Sequence, residues 1–177
     1  MRNNFYYDYY RMTGTIYYKE IRTFISMMLR HNLKYMSLWR KKNKSIITKF
    51  RIYRLCRKYG IEISTNAEIG LGFYMGHPYN ITIGSGVKIG NNCNIHKGVT
   101  IGRVNTGKKE GVPTIGNEVF FGINSTIVGN INIGSDVLIA PNSYVNFDVP
   151  DHSIVIGNPG VIHHKINATE GYIIFRV

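Results

Sequence analysis

An aliphatic side chain returns every sixth residue through the middle of this chain. Ile63, Ile69 and Met75 are six apart, as are Ile83, Ile89, Ile95 and Ile101, and again Ile115, Phe121, Ile127, Ile133, Ile139 and Val145. Ten of these thirteen positions are Ile, and in eight the next residue is Gly. Four residues after the aliphatic comes another small or aliphatic residue, such as Ala67, Val87, Cys93, Val99, Val119 or Ser125. No helix has a period of six, and an ordinary amphipathic strand alternates without restarting a turn every six residues. A parallel β-helix does restart, because each six is a short flat strand plus a corner and stacked Ile side chains fill the interior. Gly after the aliphatic fits a corner that needs positive φ or close backbone approach.

The period breaks twice. From Met75 to Ile83 the step is eight, and from Ile101 to Ile115 it is fourteen. An uninterrupted solenoid builds a rod, whereas extra residues must bulge from a corner, where side chains can be aimed at a ligand. The first bulge holds His77, Tyr79 and Asn80. The second, Gly102 to Thr114, is a polar loop with Arg103, Lys108, Lys109 and Glu110.

The 177 residues allow one domain with a small accessory piece. The formal charge of +12 is unevenly spread. Residues 1–60 hold fifteen Lys/Arg against two acids, and residues 61–177 hold seven against eight. Nine of the thirteen Tyr also lie in residues 1–60. Two cysteines, Cys56 and Cys93, make no disulfide framework, and Cys93 takes an inward repeat position. The N-terminus lacks an apolar core followed by a cleavage site, and no apolar run approaches the length of a membrane span. A reduced, cytoplasmic setting is the expectation.

Residues 1–11 show no clear period. The pattern from about Thr15 to Lys42 is helical, with Ile21, Ile25, Met28 and Leu29 on one face and a break near His31-Asn32. A second helix is expected over Ser45 to Tyr59, with Ile46, Phe50, Tyr53 and Cys56 as a stripe and Gly60 as the stop. Three roles compete for this basic segment: helices that cap the open end of the coil and bind neighbouring subunits, peripheral contact with an anionic membrane, or nucleic-acid binding. The last is set aside, since the charge fits no recognition motif. Pro150 to Gly160 reads as a loop leaving the coil. The tail over 161–177 reads as a packed extension or short strand, with Tyr172 to Phe175 its apolar run.

Three stretches carry a resemblance to a known family: Ile63 to His77, Gly98-Val-Thr-Ile-Gly102 with Pro113-Thr-Ile-Gly116, and Val149 to Gly160. Across about residues 60–165 the chain resembles the hexapeptide-repeat acyltransferases, in the branch of serine acetyltransferases and capsule or O-antigen sugar acetyltransferases. The resemblance implies a mostly β fold: a left-handed parallel β-helix over 61–160 with an N-terminal α-helical segment over 1–60. It also implies a homotrimer with active sites between subunits and acetyl-CoA as co-substrate, with no metal required. His77 corresponds to the family's catalytic base. Gly102, Arg103, Gly122, Ile123, Ala140, Pro141 and Lys165 fall where the family meets CoA. A neutral imidazole suits removal of a hydroxyl proton near pH 7, and backbone N–H groups at the corners suit the oxyanion.

Two departures matter. Serine acetyltransferases have Asp immediately before the catalytic His, where this chain has Gly76. They carry His-Pro in the long loop, where this chain has Val112-Pro113. Both losses remove groups that would orient an amino acid. The sequence therefore points to a sugar hydroxyl in surface polysaccharide as acceptor, with serine O-acetylation in cysteine biosynthesis as the alternative and a non-catalytic scaffold as a third reading. His96, at a repeat corner, joins Tyr79, Asn80 and Glu110 as candidate acceptor contacts, and Glu110 or a backbone carbonyl would fix the His77 tautomer. His31 reads as helix surface and His152 as structural. The His163-His164 pair has no acidic or Cys partner and is a weak metal signal.

Overall fold

The computed structural model describes residues 4–41 and 44–177. Residues 61–156 wind into a parallel coil with three flat faces. The first carries β1 (Ile61–Ile63), β4 (Ile81–Ile83), β7 (Thr100–Gly102), β10 (Thr126–Val128) and β13 (Tyr144–Val145). The second carries β2 (Glu68–Ile69), β5 (Lys88–Ile89), β8 (Thr114–Ile115) and β11 (Asn132–Ile133). The third carries β3 (Tyr74–Gly76), β6 (Asn94–His96), β9 (Val119–Phe121), β12 (Val137–Ile139) and β14 (Ser153–Ile156), closed at its edge by β15 (Val161–His164). All pairings are parallel except β14 with β15. The architecture is the mostly β, parallel β-helix with an N-terminal helical segment that the sequence predicts.

The six-residue period becomes three interior columns. Ile63, Ile83, Ile101, Ile127 and Val145 stack in register on the first face. Ile69, Ile89, Ile115 and Ile133 stack on the second, and Met75, Ile95, Phe121, Ile139 and Val155 on the third. All thirteen periodic positions are buried. Each such side chain contributes roughly 1.5–3 kcal/mol of burial, which is why Ile recurs.

The Gly after the aliphatic is explained at one corner by close approach. A Cβ on Gly70 would lie 2.6 Å from both the Gly90 carbonyl and the Asn91 side chain. That corner is laced by side chains that accept from the backbone of the coil below. Asn91 Oδ1 takes the Leu71 N–H at 2.8 Å, Asn117 Oδ1 that of Asn91 at 2.8 Å, Ser135 Oγ that of Asn117 at 3.1 Å, and Asp151 Oδ1 that of Ser135 at 2.6 Å. Corner N–H groups that strand pairing cannot reach are thereby satisfied.

Four helices precede the coil: α1 (Phe5–Thr13), α2 (Ile21–Leu29), α3 (His31–Trp39) and α4 (Ile46–Tyr59). No periodicity marks α1 in the sequence, because its buried positions, Phe5, Asp8, Tyr9, Arg11 and Met12, include two charges. The helix expected from Thr15 begins only at Ile21. Tyr17 instead folds back onto α1, stacking on Tyr6 at 4.6 Å and edge-on to Tyr9 at 5.3 Å. The break falls at Arg30, whose backbone is extended between α2 and α3. Lys42, the expected end, lies outside the described residues. α4 matches expectation closely, with Ser45 capping the Thr48 N–H at 3.3 Å and Gly60 stopping it at φ 66°.

These helices close the open end of the coil. Tyr35 accepts the Ile63 N–H at 3.2 Å, and the Trp39 indole donates to the Ile63 carbonyl at 3.2 Å. Asp8 is fully buried, paired to Arg40 at 2.8 and 3.0 Å and accepting the Phe73 N–H at 2.8 Å. Arg40 also donates to the Ile69 and Gly70 carbonyls at 2.6 Å each. Burial raises the Asp8 pKa, opposed by the Arg40 guanidinium.

At the far end, the expected exit loop contains β14. Ser153 and Val155 keep the inward pattern, so the segment continues the third face. The strand of the tail is β15, and not the Tyr172–Phe175 run. Beyond β15 the tail returns across the coil. Asp136 accepts from the Ala168 and Thr169 N–H groups at 3.0 and 2.9 Å, from Thr169 Oγ1 at 2.7 Å and from His152 Nδ1 at 2.8 Å. Asn94 then donates to the Tyr172 carbonyl at 3.0 Å, and Asn92 holds the backbone of Val177 with two bonds of 2.9 Å.

Candidate functional site

The two-residue insertion turns out of the third face directly after β3. It needs left-handed backbone at two residues, His77 (φ 46°) and Asn80 (φ 54°). Such conformations cost free energy in non-glycine residues and persist only where the surroundings hold them. The helices supply the hold. Asn32 Nδ2 donates to the Met75 carbonyl at 3.1 Å, His31 Nε2 meets the Pro78 carbonyl at 3.1 Å, and the Asn80 N–H donates to the Tyr59 carbonyl at 2.9 Å. Tyr79 packs at 5.0 Å from His31 and 5.6 Å from Tyr59. His31 is thus a brace under the bulge and not the exposed helix surface the sequence suggested. Tyr79 and Asn80 serve the same anchoring.

The His77 side chain is exposed, and among the described residues no hydrogen bond or ion pair engages its imidazole. Glu110 is occupied elsewhere, pairing with Arg103 at 3.1 Å within the long loop. That loop is pinned by a Val104–Gly111 bridge and by the Asn130 N–H donating to Lys109 at 2.9 Å.

His96 sits one coil along, in register with Gly76. A Cβ at Gly76 would come within 2.6 Å of His96 Cε1. The missing side chain at 76 is therefore what lets the His96 ring lie over the backbone beside His77. His96 is half-buried, its ring 4.8 Å from Phe120, and its Nε2 is buried with no hydrogen-bond partner among the described residues. Burial, and then the proximity of His77, lowers its pKa and so disfavours the protonated ring, leaving Nε2 available to a ligand.

From His96 a groove of about 450 Å³ runs along the outside of the third face. It is lined by Gly122, Ile123, Ala140, Pro141 and Lys165, five residues placed on the cofactor by resemblance, and by Phe120, Leu138, Ile154 and Tyr172. The sequence reading missed the apolar wall. Its signal was present: Phe120, Leu138 and Ile154 are the outward residues of three consecutive strands and lie in register, where an outward position is otherwise polar. Gly102 and Arg103 do not line this groove. Gly102 ends β7, the middle strand of the first face, and Arg103 follows it into the long loop. Cys93 is fully buried, and burial pushes its thiol up to about 12, so it offers no nucleophile.

No protein-family model matches the chain. Individual proteins do. Serine acetyltransferase 2 of Arabidopsis thaliana is 43% identical over 108 residues, covering 60% of this chain and 33% of the plant protein. The serine acetyltransferase of Staphylococcus epidermidis is 40% identical over 124 residues, covering 68% of this chain and 57% of that one. Among solved structures, the Neisseria gonorrhoeae serine acetyltransferase in complex with serine superposes with a TM-score of 0.65 at 30% identity, over 78% of this chain and 60% of that one. This chain is similar in sequence and in fold to these serine acetyltransferases. It spans between a third and three fifths of the length of these serine acetyltransferase relatives. The departures read from the sequence, Gly76 and Val112, are joined in the structure by the His96 ring, which lies where a side chain at 76 would be.

Proposed function

We propose that this protein is an acetyl-CoA-dependent O-acetyltransferase that transfers the acetyl group directly to a hydroxyl, with His77 as general base. The observation that carries this is the continuity of His77, His96 and the apolar groove along one face of the coil. The pantetheine arm would lie in the groove against Gly122-Ile123 and Ala140-Pro141, with Lys165 towards its phosphate end. His77 would take the hydroxyl proton as that oxygen bonds to the thioester carbon. The C–S bond then breaks, and the imidazolium returns the proton to the departing thiolate. Backbone N–H groups at the corners would stabilise the oxyanion. By the same reading three chains form a trimer with the site between neighbours, bringing Gly102 and Arg103 of one coil towards the groove of the next.

The names of the relatives favour L-serine as acceptor over the polysaccharide hydroxyl to which the sequence pointed. One observation keeps the sugar as a second reading. His96 occupies the space an Asp at position 76 would need, so the pocket offers a neutral nitrogen where an amino acid's ammonium group would want a carboxylate. Thiol release from acetyl-CoA with L-serine, set against release with a panel of hexoses and N-acetylhexosamines, decides between them. Rapid serine-dependent release supports the serine reading. Release with sugars alone supports the second, and protein that neither binds CoA nor releases thiol with any acceptor sinks both.

A further inference from the structure

The N-terminal helices expose what soluble helices bury. On α2, Ile21, Phe24 and Leu29 are exposed, Leu29 by 80%, and on α4 so are Ile46, Phe50 and Tyr53. The two helices flank α3 and bound an open cleft of about 1170 Å³. From Ile21 to Tyr59 the sequence has twelve Lys/Arg and no acidic residue. Only Arg40 has a carboxylate partner among the described residues, and that partner is Asp8 of α1. Arg22, Arg51, Arg54 and Arg57 are all exposed; the last three line the cleft with Phe24 and Leu29, and Lys49 sits with Ile46, Phe50 and Tyr53 on the neighbouring surface of α4.

An apolar ridge rimmed by unpaired cations fits few partners. A second copy docking through the same face would set cation against cation with no acid between them, a costly juxtaposition. The coil is near-neutral in sum, with seven Lys/Arg against eight acids over residues 61–177, and so carries little net charge to attract this face. Among the described residues no helix is long and apolar enough to cross a membrane. What remains complementary is an anionic lipid surface, which accepts apolar side chains at the headgroup boundary and attracts the cations around them. We propose that α2 and α4 form a peripheral docking face for anionic membranes, with the ridge seated among the acyl chains and the arginines on the headgroups. This inference is independent of the acetyl acceptor.

Vesicle flotation of the full chain tests it, using phosphatidylcholine alone and phosphatidylcholine mixed with phosphatidylglycerol, at moderate and at high salt. The protein should float with the mixed vesicles and not with the neutral ones, and high salt should weaken the association. Arg51→Glu/Arg54→Glu/Arg57→Glu should cut binding at least about tenfold. Phe24→Ser/Leu29→Ser should cut it independently, with circular dichroism confirming that each variant folds. Failure of the wild type to float with mixed vesicles overturns the proposal, as does flotation that neither variant changes. If Phe24→Ser/Leu29→Ser instead lowers the assembly mass in ultracentrifugation without any vesicle binding, the face belongs to a second copy and the proposal falls.

Discussion

Gly76 and His96 behave as one unit. Glycine at 76 is what allows the imidazole to lie over the strand, and the ring in turn closes the space a side chain would take. Gly76→Ala should therefore push His96 outward. Its titration by NMR should rise towards an ordinary histidine value as burial is lost, while a His96 that keeps its low pKa would show the ring had not moved. Asp8 and Arg40 form a second pair. Arg40→Met leaves the carboxylate buried without its partner, and loss of one member of such a pair costs roughly 3–5 kcal/mol. Urea unfolding should register that loss. His77 was legible in the sequence because it interrupts a strict period. Asp8 was not, because a buried carboxylate looks like a break in an amphipathic stripe until its arginine, 32 positions on, is found.

Among the elements, the coil was readable almost residue by residue, since each strand repeats the same inward demand for an aliphatic. The connections were not. β14 sits between Pro150 on one side and Gly157, Pro159 and Gly160 on the other, a stretch that reads as loop, and only its register with β12 makes it a strand. The return of the tail depends on one carboxylate. Burial alone would raise the Asp136 pKa, but the bonds from His152, Thr169 and Ala168 outweigh it and hold it at about 2, below the ordinary 3.8. A depressed carboxylate stabilises the fold fully above its unfolded value, and that contribution is lost as pH falls through the folded one. The tail should therefore loosen between about pH 4 and pH 2, seen as loss of amide protection at Ala168 and Thr169 in hydrogen exchange. Asp136→Asn should weaken that protection already at neutral pH.

At the scale of the molecule, the chain divides its labour by charge: a near-neutral coil carries the groove, and a strongly basic helical segment caps the coil and braces the His77 bulge through His31, Asn32 and Tyr59. The uneven charge was visible in the sequence, yet the bracing was not, because it runs between residues up to 47 apart that share no pattern. The central claim is that this bulge holds the base for direct acetyl transfer. Its most direct test compares acceptor-dependent thiol release from acetyl-CoA by the wild type and by His77→Ala, with CoA affinity measured calorimetrically on both. The account predicts that the variant binds CoA normally while its turnover falls by roughly 10²–10⁴. Undiminished turnover in His77→Ala would contradict it and move the base elsewhere on the coil.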